Sequence, residues 1–222
     1  MQDPDTRDIT SAAPREILES VFGYEDFRPA QEEIIARLIN GQHALVIMPT
    51  GGGKSLCYQI PSMVREGVGI IVSPLISLMQ DQVEALRQLG VRAAFLNSSL
   101  EYEERREIQE KLRAGDLDLL YVAPERLMTD RFMNLLEQVV PALFAIDEVH
   151  CMSKWGHDFR PDYLELASIR ERFPEVPCIA VTATADTQTQ EDILERLDLP
   201  EESLFVTGFD RPNICYRVVV KI

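Results

Sequence analysis

Short apolar runs alternate with longer amphipathic runs along most of this 222-residue chain. The apolar runs are rich in Val, Ile and Leu, which predicts strands buried on both faces. The predicted strands span residues 44–48, 69–73, 93–97, 117–123, 143–147, 178–182 and 204–207. The predicted helices span residues 14–22, 31–39, 75–89, 102–113, 131–139, 164–173 and 187–197, with a further helix starting near residue 54. Repeated strand–helix alternation predicts an α/β fold whose parallel sheet is covered on both faces.

A glycine-rich stretch, MPTGGGKS at residues 48–55, follows the first predicted strand. Successive glycines let backbone N–H groups converge on an anion, and the helix that follows adds its dipole. We expect Lys54 to reach the β and γ phosphates of a nucleotide and the Ser55 hydroxyl to ligate Mg²⁺. Met48 stands where the GxxxxGKS/T pattern has its first glycine, so a glycine-rich turn with an incidental Lys-Ser pair is the alternative. The predicted nucleotide-binding residues here are Thr50, Gly51, Gly52, Gly53, Lys54 and Ser55.

Two adjacent carboxylates, Asp147 and Glu148, follow the predicted strand at residues 143–147. They would therefore lie at the carboxyl end of a buried parallel strand, where open α/β sheets bind ligands. We expect Asp147 to be the second magnesium ligand and Glu148 to polarise the attacking water. An acidic cap at a helix start is the alternative for a lone Asp.

The sequence DEVH at residues 147–150 resembles the DExH box of superfamily 2 helicases. With the phosphate loop and the segments below, residues 14–220 resemble the RecQ family of DNA helicases. The resemblance implies a RecA-like P-loop NTPase domain that uses ATP and Mg²⁺, with Lys54 and Glu148 as catalytic residues. It also implies 3′ to 5′ movement on DNA, and roles in DNA repair and recombination.

The segment FGYEDFRPAQ at residues 22–31 resembles the nucleotide-recognition motif of RecQ proteins. The resemblance implies that Tyr24 stacks on adenine, that Gln31 hydrogen-bonds the edges of the base, and that Arg28 lies nearby. An amide can satisfy a donor and an acceptor of adenine together. Without that context the segment is a link between two helices, with core aromatics and a surface glutamine.

A loop rich in aromatic residues and cations, residues 150–163, follows the acidic pair. Such side chains can stack on bases and contact phosphates of a single strand. A buried plug anchored by Trp155 and Phe159 is the alternative. The loop resembles the one by which RecQ helicases sense single-stranded DNA, and Thr182 and Thr184 resemble the motif that links the γ-phosphate side of the site to DNA. The predicted DNA-binding and coupling residues are Trp155, His157, Phe159, Arg160, Thr182 and Thr184.

Two further loops, at residues 73–83 and 123–126, resemble DNA-contacting motifs of the same family. The formal net charge of −15 nevertheless argues against extensive DNA binding by this chain alone. Either the DNA surface is small and local, or a larger one lies on a part of the protein that this chain lacks. The sequence favours the second explanation.

No apolar run is long enough to cross a membrane, and the N-terminus does not resemble a signal peptide. We therefore expect a cytoplasmic protein, nucleoid-associated if bacterial, without a membrane partner. The scattered cysteines suggest neither a disulfide framework nor a metal site.

The expected division is a flexible tail at residues 1–13, a motor domain at 14–207, and a linker at 208–222 leading to a second motor domain absent here. The expected partners are that domain and single-stranded or partly duplex DNA. The leading hypothesis is thus the N-terminal motor half of a DNA helicase, unable to unwind alone. The alternatives are a nucleotide-dependent binding module without turnover and, more weakly, an RNA helicase.

Overall fold

A parallel sheet forms the centre of the protein in a computed structural model that describes residues 13–97, 99–155 and 158–208. Its strands are β1 (Ala44–Ile47), β2 (Val68–Val72), β3 (Ala93–Leu96), β4 (Leu119–Val122), β5 (Pro141–Ile146), β6 (Cys178–Thr182) and β7 (Leu204–Val206). They follow the order β3-β4-β2-β5-β6-β1-β7, and each neighbouring pair is parallel. The predicted α/β fold is confirmed.

Helices cover both faces of this sheet. They are α1 (Pro14–Ser20), α2 (Gln31–Ile39), α3 (Leu56–Val64), α4 (Ile76–Gln88), α5 (Tyr102–Ala114), α6 (Pro124–Leu127), α7 (Asp130–Leu136), α8 (Pro161–Leu164), α9 (Ser168–Arg172) and α10 (Thr187–Arg196). Apolar residues of α1 to α4 form one core with alternate residues of the strands. Those of α5 to α10 form a second core on the opposite face. Burial on both faces explains why the strand sequences are continuously apolar.

The strand order brings the loops after β1, β5 and β6 together at the carboxyl edge of the sheet. Ile47 of β1 is in register with Thr182 of β6, and Ile146 of β5 is in register with Ala180. Backbone hydrogen bonds continue past the strand ends, since the Met48 N–H donates to the Thr182 carbonyl at 3.1 Å. The phosphate loop and the acidic pair are therefore held by neighbouring parts of one rigid sheet.

The observed elements differ from the predicted ones mainly in the helices, and α7 ends at Leu136, three residues before the predicted end. The predicted helix at 164–173 is broken: α8 begins earlier, at Pro161, a 3₁₀ turn spans Glu165–Ala167, and α9 follows. At the break the Ser168 hydroxyl donates to the Glu165 carbonyl at 2.7 Å, a local bond that competes with the helical ladder. The short α6 was not predicted, and α3 begins at Leu56, two residues after the predicted start.

Two predicted segments at the chain ends lie almost wholly outside the described residues, namely the tail up to residue 12 and the linker from residue 209. Within the described ranges the longest helices have 13 residues, and none is long and apolar enough to cross a membrane.

Candidate functional site

A cleft of about 500 Å³ opens at the carboxyl edge of the sheet, beside the phosphate loop and the acidic pair. This volume lies within the range of pockets that enclose a small ligand. Nearly all predicted nucleotide-site residues line it together, although they come from three separate stretches of chain. They are Tyr24, Arg28, Gln31, Thr50, Gly51, Gly53, Lys54, Ser55, Asp147 and Glu148.

The glycines of the phosphate loop are required by its backbone and its packing. Gly51 and Gly53 have φ angles of 78° and 87°, in the left-handed region that disfavours side chains. Gly52, which is not among the residues lining the cleft, has no room for a side chain, since an added Cβ would lie 2.5 Å from Cγ of Met48. Met48 itself is 2% exposed and packs in the core, so its departure from the usual pattern does not fill the anion cradle.

Lys54 and Ser55 stand at the mouth of the cleft. The Lys54 ammonium donates to the Met48 carbonyl at 3.0 Å, which folds the side chain over the loop. Ser55 is the N-cap residue of α3, and its side chain makes no capping hydrogen bond. The helix that follows therefore points its positive end at the loop, as expected for an anion site.

Asp147 lines the same cleft as the phosphate loop. Its Oδ1 accepts from the Glu148 N–H at 3.0 Å, and its own N–H donates to the Val72 carbonyl at 2.8 Å. Burial, and then the neighbouring Glu148 charge, raise the pKa of Asp147 from 3.8 to about 6. A carboxylate and a serine hydroxyl at one cleft form an oxygen donor set that fits Mg²⁺, whose charge would relieve this unfavourable burial.

A chain of side chains connects Glu148 to strand β6. Glu148 has a left-handed backbone with φ of 49°, and its Oε2 lies 3.2 Å from Nδ1 of His150. The same Nδ1 lies 2.8 Å from the Thr182 hydroxyl, which donates to the Thr184 carbonyl at 3.2 Å. Because that hydroxyl donates onward, it accepts from His150. The predicted coupling residue Thr182 is fully buried, so it can act through His150 but cannot contact a DNA strand directly.

Sequence reasoning assigned no role to His150, and it counted Tyr163 among the loop aromatics that could stack on bases, which its complete burial excludes. The Cys151 sulfur and the Glu148 carboxylate beside it raise the pKa of the His150 imidazole to about 9. The buried Tyr163 hydroxyl donates to the Asp147 carbonyl at 2.9 Å, which ties the aromatic-rich loop to the acidic pair. The signal for His150 was its place in the DEVH motif, but its partner is 32 residues away.

The aromatic-rich loop leaves Trp155 64% exposed and Phe159 half-buried, so Trp155 is not a core anchor. Arg160 fixes the end of the loop, because its backbone N–H donates to the Cys151 carbonyl at 2.8 Å. Its guanidinium donates to the Pro74 carbonyl at 3.2 Å, in the loop after β2. His157 lies outside the described residues.

Gln31 is 1% exposed and joins the recognition motif to the phosphate loop. Its Oε1 accepts from the Arg28 N–H at 2.8 Å, and its Nε2 donates to the Gly53 carbonyl at 3.0 Å. The Arg28 guanidinium also donates to the Gly51 carbonyl. These two bonds leave one N–H and one lone pair of the amide unused. The nearby Tyr24 is 52% exposed, so its ring face is accessible.

The three cysteines within the described residues, Cys57, Cys151 and Cys178, are buried free thiols. Burial raises the pKa of Cys57 and Cys178 to about 12. The spacing of the cysteines did not predict the neighbours of Cys151. Its sulfur, a ring nitrogen of His150 and a carboxylate oxygen of Asp158 all lie within 4.8 Å of one another. The Asp158 carboxylate is also paired with a guanidinium at 3.1 Å, which competes with any cation there.

Comparison with known proteins agrees with this site. Residues 28–193 match the model of DEAD/DEAH box helicases. The chain is 51% identical over 205 residues to the ATP-dependent DNA helicase RecQ of Haemophilus influenzae, covering 92% of this chain and 33% of that protein. It is 44% identical over 205 residues to RecQ of Bacillus subtilis, covering 91% and 35% respectively. The chain thus spans about a third of the length of these curated relatives, and the RecQ resemblance is confirmed.

Among solved structures, the helicase domain of Pyrococcus furiosus Hef superposes with a TM-score of 0.61 at 18% identity. The superposition covers 90% of this chain and 40% of that one. At this identity the likeness concerns the fold alone.

Proposed function

Because this chain belongs to the DEAD/DEAH box helicase family, we propose that it is the first motor domain of an ATP-dependent DNA helicase of the RecQ type. The observation that carries the proposal is the convergence of the recognition motif, the phosphate loop and the acidic pair on one cleft. In the whole protein this domain would move 3′ to 5′ on single-stranded DNA and serve DNA repair and recombination.

We assign the nucleotide contacts residue by residue. Tyr24 stacks on the adenine, Gln31 bonds its edge, and Lys54 neutralises the β and γ phosphates. Ser55 and Asp147 hold Mg²⁺, which when bound withdraws charge from the transferred phosphate. The positive φ angles of the loop glycines and the raised pKa of Asp147 support this assignment.

Glu148 positions the attacking water, and the route to DNA starts at the same residue. Its carboxylate contacts His150, and His150 contacts Thr182. A change at the γ-phosphate would therefore be transmitted to strand β6 through two short contacts. On the other side, Tyr163 connects Asp147 to the loop that carries Trp155. Stacking of a DNA base on Trp155 would therefore affect the position of the acidic pair.

The rate of the isolated chain should be low. In this superfamily an arginine from a second motor domain completes the site, and such a residue contributes roughly 10³ to 10⁵ in rate. The chain alone is expected to bind nucleotide weakly, hydrolyse it slowly and leave duplex DNA intact. A binding module without turnover is the second candidate, and the intact Glu148 argues against it.

The test is steady-state ATP hydrolysis by the chain, with single-stranded DNA, with single-stranded RNA of equal length, and without either. We expect stimulation by DNA, its loss in Lys54→Ala, and a weaker response in Trp155→Ala. Val140→Ala shortens an apolar side chain elsewhere that is exposed to a similar degree, and it should behave as the wild type.

Hydrolysis that persists in Lys54→Ala would reject the assignment of the cleft. Nucleotide-dependent DNA binding without any turnover would favour the binding module, and preferential stimulation by RNA would reject the DNA assignment.

A further inference from the structure

Three side chains with different donor atoms meet within the aromatic-rich loop. They are the His150 imidazole, the Cys151 thiol and the Asp158 carboxylate, and one ligand atom of each lies within 4.8 Å of the other two. His150 and Cys151 belong to a 3₁₀ turn, Val149–Met152, that directly follows Glu148. We call the three residues the His-Cys-Asp cluster. The proposed function uses one ring nitrogen of His150 and gives the other two side chains no role.

The separations within the cluster are close to those of a tetrahedral zinc site. Sγ of Cys151 lies 3.8 Å from Nε2 of His150 and 3.7 Å from Oδ2 of Asp158. With Zn–S of about 2.3 Å and Zn–N or Zn–O of about 2.0 Å, sulfur and the lighter ligand atoms of such a site are roughly 3.5 Å apart. Shifts of a few tenths of an ångström would therefore bring these pairs to coordinating positions. Because Asp158 is exposed, its carboxylate can turn toward the ion.

The other ring nitrogen of His150 is already held as a metal-bound histidine requires. Nδ1 lies 3.2 Å from Oε2 of Glu148 and 2.8 Å from the Thr182 hydroxyl, so its N–H has oxygen acceptors on the side away from the cluster. Metal-ligating histidines almost always donate their second N–H to a carboxylate or another oxygen, which fixes the ring. Nε2, which faces Cys151, is thus the nitrogen that is oriented for a metal.

Burial and charge determine which ion fits and how it enters. Cys151 is 1% exposed and His150 is 8% exposed, whereas Asp158 gives access from the surface. A thiolate, an imidazole and a carboxylate together favour Zn²⁺ over Mg²⁺, and water would take the fourth position. The Arg160 guanidinium lies 3.1 Å from Oδ2 of Asp158 and competes for that oxygen. We therefore expect weaker binding than at a closed structural zinc site.

We propose that the His-Cys-Asp cluster binds Zn²⁺, and that the bound ion inhibits DNA-stimulated ATP hydrolysis. Zinc–sulfur and zinc–nitrogen bonds replace the S–H bond of Cys151 and any N–H bond at Nε2 of His150, and the protons pass to the solvent. The ion ties Asp158 to the turn after Glu148, so the loop that carries Trp155 can no longer move against the acidic pair. The inhibition rests on the proposed function, whereas the zinc site itself does not.

The first test is absorption spectroscopy of the chain with Co²⁺, which replaces Zn²⁺ in tetrahedral sites. A cobalt–thiolate bond gives a charge-transfer band that a site with only oxygen ligands lacks. We expect this band in the wild type, its loss when Zn²⁺ is added, and its absence in Cys151→Ser. Cys178→Ser removes a similarly buried free thiol and should keep the band.

The second test is the affinity for Zn²⁺, measured by competition with a chromophoric chelator. Cys151→Ser and Asp158→Asn should each bind Zn²⁺ at least about tenfold more weakly than the wild type. Asp162→Asn removes another exposed carboxyl of the same loop and should bind as the wild type does. Zn²⁺ should also raise the Tm of the wild type and of Asp162→Asn, but not that of Cys151→Ser.

The third test is ATP hydrolysis at saturating magnesium, with and without single-stranded DNA, as Zn²⁺ is added. In the wild type, Zn²⁺ at concentrations that fill the cluster should abolish the stimulation by DNA and leave the rate without DNA nearly constant. In Cys151→Ser, the ratio of the two rates should not change over the same Zn²⁺ range. Zinc that entered the nucleotide cleft would instead lower both rates, and would do so in both proteins.

The outcomes separate this inference from the proposed function. A missing cobalt–thiolate band, or a band that persists in Cys151→Ser, would overturn the zinc site whatever the chain does with ATP. Zinc binding at the cluster with undiminished DNA stimulation, or with equal inhibition in Cys151→Ser, would overturn the inhibitory role. If the chain binds zinc at the cluster but DNA never stimulates hydrolysis, the proposed coupling and the inhibitory role both fail, and the zinc site stands.

Discussion

Replacing the partly buried acid of the cleft, Asp147→Asn, should stabilise the protein in the absence of magnesium. The pKa of Asp147 rises from 3.8 to about 6 on folding, because burial and the Glu148 charge disfavour the ionised form. At about 1.36 kcal/mol per tenfold change, the ionised carboxylate costs at most about 3 kcal/mol. Asparagine keeps the oxygen that accepts from the Glu148 N–H at 3.0 Å.

The sign of the pH dependence follows from linkage. Between pH 3.8 and about 6 the folded protein binds more protons at Asp147 than the unfolded chain does, so stability falls as pH rises through this window. Above pH 6 or so, Asp147 is ionised in the folded protein, and its carboxylate lowers the free energy of unfolding by the full amount. The ionisation cost that Asp147→Asn removes should therefore be greatest at pH 8 and about half as large at pH 5, so the net gain should be clearly smaller at pH 5.

A neutral amide has its own desolvation cost, so we expect a net gain of about 1–2 kcal/mol at pH 8. For a domain of this size that corresponds to a rise in Tm of roughly 2–8 °C. The assay is thermal unfolding followed by circular dichroism in a chelating buffer at both pH values. Asp116→Asn replaces an exposed carboxyl and should change stability by less than about 0.5 kcal/mol.

The same variant should lose the rise in Tm that magnesium and ATP confer on the wild type, since it lacks the proposed ligand charge. A lower Tm than the wild type at pH 8 without magnesium would refute the reasoning, as would a gain of equal size at both pH values.

Two further substitutions probe the coupling route and the phosphate loop. Thr182→Val removes a buried hydroxyl at nearly constant shape, so it should lower the free energy of unfolding by about 1 kcal/mol and reduce DNA stimulation of hydrolysis while sparing ATP binding. The control is Thr207→Val, which loses only a 3.4 Å hydrogen bond. Unaltered stimulation in Thr182→Val would contradict the coupling route. Gly53→Ala should lose about 1–3 kcal/mol and weaken ATP binding, because its φ is positive and the new Cβ would collide with Nε2 of Gln31. Gly90→Ala has a similar φ of 81° but open space, so equal losses in the two would exclude the collision.

Local patterns were sufficient for much of this protein. Continuous apolar runs located the strands to within about two residues, because a strand buried on both faces has little freedom in composition. The phosphate loop and the acidic pair were found from their residue spacing, because the residues that form each of them are consecutive in the sequence. The start of α8 at Pro161 and the break before α9 were missed, because a proline at the first helical position and a serine-to-backbone bond outweighed the apolar period there.

The sequence by itself determined the α/β fold and located the glycine-rich loop and the acidic pair that line the cleft. The tertiary structure alone decided which distant residues meet. Sheet order sets β6 between β5 and β1, so His150 contacts Thr182, 32 residues away. Packing of α5 against α6 and α7 brings Arg105, Arg126 and Arg131 from three helices to one small cavity. Such contacts depend on how elements pack across the whole chain, and no local periodicity or spacing encodes that packing.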